Sequence, residues 1–299
     1  MNKSVMRAHG LMLLATVLIA TSFPVGAAIT HGLDSVVLTL LRFSLAALVF
    51  APIVAWRYGL PWIGWRDLAR YSVISACLVG FFWGMFVALR LTSVLNTATI
   101  FTLTPAITAA VSAVLLRERL GPAARVALPV GMVGALWVIF RGDMGALLAM
   151  DLGQGDAIFL AACIAMGCYS PLLKLLHRGE PMARVTFWTL VTGAGWLFLL
   201  SAGRLGAVGW TTVPVAVYGG IAYLAVFTTL ITFFIFQTSV AVIGPTRVMS
   251  YTYLNPVLVV LIGIGFGEPL PALTTYPGLV LIVGATVILQ RTQAPVNAR

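Results

Sequence analysis

Residues 96–120 read NTATIFTLTPAITAAVSAVLLRERL, and residues 247–270 read RVMSYTYLNPVLVVLIGIGFGEPL. Each is an apolar stretch of helix length with one proline near its centre, Pro105 in the first and Pro256 in the second. Each closes on a lone acidic residue beside a chain reversal, Glu118 and Glu268. The offset is 151 residues between the prolines and 150 between the glutamates. A fixed period on this scale marks a duplicated unit. Other features recur at nearly the same distance. GALWVI at 134–139 matches GATVIL at 284–289, and Trp83 matches Phe234. Ser22-Phe23-Pro24 matches Tyr169-Ser170-Pro171 at an offset of 147, and a helix break is expected at both.

Composition names the solvent. Of 299 residues, 61% are hydrophobic and only 9% are charged, against about a quarter charged in a soluble domain. Such a chain cannot keep a globular surface wet. A membrane helix needs about 20 mostly apolar residues. Ten such segments are present, near 9–29, 36–56, 71–90, 95–116, 125–141, 155–176, 185–202, 213–238, 246–266 and 275–290. Too little chain remains for a folded soluble domain. The N-terminal run follows Lys3 and Arg7 and contains VGAA at 25–28, which suits a signal-peptidase site. The run is long enough to span, and its removal would break the repeat, so it is read as the first helix.

The net charge of +10 would suggest nucleic acid in a soluble protein. Here the positive-inside rule explains it, and no nucleic-acid partner is expected. With the N-terminus cytoplasmic, inner loops and ends hold 14 Lys and Arg and outer loops hold Arg90, Arg141 and Arg204 only. That asymmetry predicts ten spans with both termini cytoplasmic, in a bacterial-type inner membrane. The expected fold is all-α and polytopic, with a first five-helix repeat over 1–142 and a second over 143–299. Five is odd, so the second copy enters the bilayer from the opposite side. The halves are then inverted about an axis in the membrane plane, which is the architecture of alternating access.

The residues also resemble a known family. LLRFSLAALVF at 40–50 is similar to the second-span Arg-Phe-x-x-Ala-Ala motif of the drug/metabolite transporter superfamily. The proline-to-glutamate elements at 105–118 and 256–268 and the Gly-Ala final helices resemble its ten-span members with two EamA-type repeats. The resemblance covers the whole chain and is closest to exporters of aromatic amino acids and related metabolites, often called YddG-like. It implies a membrane transporter of a small-molecule metabolite, with no cofactor and no catalytic residue. The second half departs from the pattern: FWTLVTGAG at 187–195 has no arginine, so Arg42 has no symmetry mate.

Matched prolines in spans one and six and in spans four and nine place those helices beside a central cavity, because a proline frees a carbonyl that must find a partner or water. Pro129 and Pro277 are read as helix-start prolines without functional weight. The pathway candidates are Phe23, Pro24, Phe82, Trp83, Phe86, Asn96, Thr97, Phe101, Thr104, Pro105, Tyr169, Pro171, Tyr223, Phe227, Tyr251, Asn255 and Pro256. Aromatic stripes serve lipid contact or packing as readily as an indole-binding or phenyl-binding pocket. Hydroxyl clusters serve helix packing as readily as a neutral cavity.

Ionisable groups at membrane depth are the usual sign of ion coupling. Every carboxylate falls in a loop or at a helix end, and His9, His31 and His177 do the same. Facilitated diffusion or substrate exchange is therefore expected rather than proton coupling. Arg42 is the exception, about two turns into the second span. It could snorkel, cap a helix, or attract a substrate carboxylate. Glu118 and Glu268 are read as structural ends. Cys77, Cys163 and Cys168 lie within spans without metal spacing and read as packing residues. The Gly-rich fifth and tenth spans suit a dimer face or a lipid face. The chain is expected to export amino acids with bulky or aromatic side chains. A multidrug or nucleoside-type exporter is the alternative. An intramembrane enzyme is remote, since no HExxH, no GxSxG and no buried acid pair occurs.

Overall fold

The computed structural model describes residues 3–29, 33–59, 63–265, 267 and 270–291. Glu268, His31 and Trp62 lie outside the described residues, as do the side chains of Phe23 and Pro24. Among the described residues, ten helical stretches are long and apolar enough to cross a membrane. The first three spans are α1 (Lys3–Ile29), α2 (Ser35–Tyr58) and α3 (Gly64–Ala88). The fourth is split into α4 (Val94–Phe101) and α5 (Thr104–Leu115), and the fifth is α6 (Pro122–Ile139). A short α7 (Met144–Leu148) precedes the sixth and seventh spans, α8 (Gln154–Leu176) and α9 (Met182–Leu205). The eighth is α10 (Val215–Ala225), a π-helical stretch (Val226–Ile231) and α11 (Thr232–Ile243). The ninth is α12 (Pro245–Ser250), a 3-10 stretch (Tyr251–Leu254) and α13 (Asn255–Gly265), and the tenth ends in α14 (Tyr276–Arg291). Polar caps satisfy backbone donors that helix ends leave open. Asp34 accepts from the N–H groups of Val36 and Val37, Ser93 from Asn96, and Asp156 from Gly153. Gly244, at φ 86°, makes the turn between spans eight and nine, a conformation that side chains resist.

The breaks fall in spans four and nine, not at the places expected in spans one and six. Span four loses its helix just before Pro105, and span nine passes through a 3-10 turn just before Pro256. Spans one and six stay continuous through Pro24 and Pro171, which corrects the expected breaks there. In span one Thr21 donates to the Leu18 carbonyl at 2.7 Å and Ser22 to that of Ile19 at 2.6 Å. One missing bond in a long helix then leaves the rest of the ladder intact. Pro129 also lies inside α6, which starts at Pro122 rather than at Pro129.

The main packed pairs all join one half of the chain to the other: span two with seven and eight, three with six and seven, one with eight and nine, four with six and nine, and five with ten. Exchanging each span for the one five places on leaves this pattern unchanged. Spans two and seven run antiparallel, since Asp34 meets Arg204 at one end and Tyr58 meets Arg184 at the other. Spans five and ten are antiparallel as well, with Gly131 opposite Ala285, Gly134 opposite Leu281 and Trp137 opposite Thr274. Small residues let such helices approach closely. A Cβ on Gly134 would sit 2.9 Å from the Ile282 nitrogen and 3.0 Å from the Gly278 oxygen. The glycine face that suited a dimer or lipid contact is thus a seam between the two halves.

Charged clips fasten the ends. On the side away from the N-terminus, Asp34 pairs with Arg204 at 3.0 Å and with Arg90 at 3.4 Å. Burial pushes the Asp34 carboxyl up, but the Arg204 hydrogen bond and the cap N–H groups outweigh it and leave the carboxyl below its ordinary value. At the opposite end Glu180 pairs with Arg70 at 2.8 Å, and Lys174 pairs with Glu118 at 2.5 Å.

Candidate functional site

The two broken spans part company at their breaks. On the side of the N-terminus, α5 and α12 pack against each other. Beyond the breaks, α4 lies against α8, while α13 lies against α1. The described residues of α12 include Val248 and Met249 at 0% exposure, whereas Gly263 is the buried residue of α13. The seam on the N-terminal side is therefore closed and the opposite side is loosely packed. Thr108 and Ser112 are buried beside Ala109 in α5, and their hydroxyls make no hydrogen bond.

Arg42 reaches across the centre from α2. Its guanidinium donates to Thr229 Oγ1 at 3.0 Å and to Thr228 Oγ1 at 3.4 Å, and it lies 5.8 Å from the centre of the Phe82 ring. Both threonines sit on the π-helical stretch of span eight. The Thr228 hydroxyl donates to the Leu224 carbonyl and the Thr232 hydroxyl to the Thr228 carbonyl. A π-turn inside an α-helix is a frequent mark of a functional site. Phe82 packs edge-on to Phe43, and Phe43 edge-on to Phe233, so an aromatic cluster from spans two, three and eight backs the guanidinium. Asp and Glu residues ion-pair elsewhere in the described structure; none pairs with Arg42.

Four further polar contacts link helices at membrane depth. Thr21 and Tyr223 share a hydrogen bond of 2.7 Å between spans one and eight, and Tyr223 stacks on Phe227 at 5.1 Å. Tyr169 accepts from Gln237 at 2.9 Å, and Thr186 donates to the same Gln237 at 2.6 Å. His9 Nδ1 lies 2.9 Å from the Tyr251 hydroxyl at the break of span nine, with Nε2 unpartnered. That contact corrects the placing of His9 at a helix end: α1 starts at Lys3, so its imidazole reaches the interior. Gln237 was missed in the sequence because a lone glutamine in FFIFQTSV carries no spacing signal.

The candidates scatter around this centre. Phe82, Tyr223, Phe227 and Tyr251 lie at the contacts just described. Phe101 packs on Phe81 at 5.6 Å, and Thr97, Thr104, Pro105 and Pro171 are buried in the helix seams. Phe86, Asn255 and Pro256 are half-buried, and the Asn255 Oδ1 has no partner. Asn96 belongs to the end of α4, where it donates to the Asp151 carbonyl. Trp83 is 40% exposed, so it parts from Phe82 and Phe86, which are half-buried. Glu118 holds Lys174 at the mouth of spans four and six. Among the described residues, a cleft of about 200 Å³ between His177, Met182 and Gln237 and one of about 480 Å³ between Arg117, Leu120 and Arg125 open at the ends of the spans on the side of the N-terminus. Neither contains Arg42.

Ten interleaved apolar helices with two broken spans facing one another define a polytopic helical membrane protein of transporter type. The chain belongs to the EamA-like transporter family, whose model matches it twice, over residues 6–140 and 153–290. It is similar to the uncharacterised transporter YyaM of Bacillus subtilis (strain 168), at 26% identity over 246 residues, covering 81% of this chain and 80% of the relative. A solved crystal structure, described only as that of a protein, superposes with a TM-score of 0.77 at 18% identity over 94% of this chain and 96% of its own. That likeness concerns the fold.

Proposed function

We propose that the protein exports amino acids with bulky or aromatic side chains across the inner membrane by alternating access between two inverted repeats, 1–142 and 143–299. The observation that carries this reading is the split of spans four and nine, whose halves pack together on the N-terminal side and separate on the other. The pairing pattern supports inversion: equivalent spans two and seven, and five and ten, run antiparallel. With the N-terminus cytoplasmic, as the basic loops suggest, this is an outward-facing state. The opposite state arises when the second half adopts the present arrangement of the first, which opens α5 from α12.

The transport path is read as running beside Arg42, among aromatic side chains. Phe82, Phe233, Tyr223 and Phe227 offer ring surfaces with Phe43 buried behind them, and threonine hydroxyls offer hydrogen bonds. Such a path favours an aromatic or bulky apolar side chain. A phosphate would require several cations. A multidrug or nucleoside-type exporter is the reading a transport panel would favour if amino acids fail.

Transport is read as facilitated diffusion or exchange, since carboxylates sit at the ends of the spans. The full chain in proteoliposomes, offered 14C-labelled amino acids, is expected to take up aromatic and large aliphatic ones with initial rates that change less than about twofold when the proton gradient is collapsed. A large loss of rate would assign coupling to His9, the titratable side chain bonded to Tyr251. Uptake of nucleosides or cationic drugs without amino acids would replace the substrate reading.

A further inference from the structure

Among the described residues, Arg42 has no carboxylate partner in the apolar part of the structure. Its guanidinium presents five N–H donors and keeps its charge in a protein. Nη2 spends its contacts on Thr228 and Thr229, while Nε is buried and makes no hydrogen bond. The side chain is deeply surrounded, yet part of the residue stays accessible. A buried charge that no carboxylate neutralises carries a large desolvation cost. Two hydroxyls and the face of Phe82 offset only part of it. Nothing in span seven repeats this arginine, so the charge is not a device of the repeat itself.

Snorkelling would relieve the cost, but the structure turns the guanidinium sideways into span eight rather than along α2 toward water. The hydroxyls it meets sit on the π-turn, where the helix ladder is already irregular. Thr228 spends its own proton on the Leu224 carbonyl, so its oxygen faces the arginine as an acceptor only. Such a guanidinium is held in position with donor capacity left over. The group that completes it is anionic and accepts the N–H bonds that Thr228 and Thr229 leave over, which describes a carboxylate.

We propose that Arg42, positioned by Thr229 on the π-turn, is the carboxylate-binding residue of the transport path, and that transported substrates must carry a carboxylate with an apolar ring or chain beside it. This rests on the reading of the protein as an amino-acid exporter and narrows it. The ring packs against the Phe82 side while the carboxylate takes the free edge of the guanidinium. Thr229 acts through Arg42 and is a positioning residue. The same chemistry admits amino acids and simple monocarboxylates, and the two are separated by their amino group.

The test uses the full chain in proteoliposomes and four unlabelled compounds sharing one ring: phenylalanine, phenylalanine amide, phenethylamine and 3-phenylpropionate. Each is loaded inside, and its outward gradient drives counterflow of external 14C-phenylalanine or 14C-phenylpropionate. The expected result is counterflow with phenylalanine and at least about tenfold less with the amide and the amine. Equal rates with 3-phenylpropionate would make the carboxylate sufficient and still support the inference. In the Arg42→Gln variant, counterflow is expected to fall at least tenfold, with Arg42→Lys intermediate because it keeps the charge and loses the fork. Thr229→Val should raise the half-saturating phenylalanine concentration more than it lowers the maximal rate. Counterflow by the amine and amide equal to that by phenylalanine in the unaltered protein would overturn the role of Arg42 and leave the exporter reading standing. Failure of all four compounds, with transport of a nucleoside or drug in the same vesicles, would overturn both.

Discussion

Gly134→Val is expected to lower the midpoint of thermal unfolding in detergent more than any other single replacement in spans five and ten. The reason is geometric. The new Cβ would lie 2.8 Å from Leu281 Cβ and within 3.0 Å of the backbone at Ile282 and Gly278. Gly278 meets the Gly134 oxygen in return, with its own Cβ position 2.8 Å from it. Backbone atoms on both sides cannot move aside as a side-chain tip can. Overpacking of this kind costs about 3 kcal/mol, and here it would also part α6 from α14 and loosen Tyr253, which packs on Gly131. Gly284→Ala is the control on α14. Its Cβ would meet nothing within 4 Å, so helix propensity should leave stability unchanged or raise it by about 0.5–1 kcal/mol. Equal melting of Gly134→Val and the parent would show that spans five and ten do not meet as described.

The second large effect is expected at the other clip. Arg70 has a side chain only 6% exposed and pairs with Glu180 at 2.8 Å, while also donating to the Leu176 carbonyl. Glu180→Gln removes the negative partner and leaves Asp67, at 3.4 Å and more exposed, as the remaining one. Leaving a buried cation short of its partner costs about 2–3 kcal/mol, below the usual range because Asp67 remains. The pH dependence follows from the same contacts. Burial pushes the Glu180 carboxyl up, but backbone N–H groups, Arg70 and the Tyr71 hydroxyl outweigh it and hold it below the ordinary value of about 4.5. A carboxylate held lower in the folded state stabilises fully above that value, and the contribution disappears as pH falls through the folded-state value. The parent protein should thus lose stability as pH drops below about 4.5, and Glu180→Gln should flatten that part of the profile. An unchanged profile would remove Glu180 from the acid response.

How much of this was legible in the sequence depends on what each feature needs. The ten spans follow from apolar length alone, because lipid forces each segment to satisfy its own backbone. The matched prolines at 105 and 256 sit at the two breaks, whereas Pro24 and Pro171 lie inside continuous helices, so a proline in an apolar run does not by itself name a break. The pairing of halves was out of reach: Gly134 and Gly278 read as small residues, and small residues do not name their partner. Arg42 stood out because a charge in an apolar run is rare. Its partners did not, since the π-turn that presents Thr228 and Thr229 leaves no mark in VFTTLI. His9 was placed at an end because the apolar run starts beside it, and the contact with Tyr251 depends on where span nine bends.

Alternating access is tested most directly by two distances measured in one protein. Spin labels at Leu95 and Leu261, exposed residues of α4 and α13, report the loosely packed side, and labels at Val114 and Val242, exposed near the ends of α5 and α11, report the packed side. On adding a transported substrate, the first distance is expected to shorten and the second to lengthen, in the same population of molecules. Two fixed distances during turnover, or two that change in the same sense, would contradict the account.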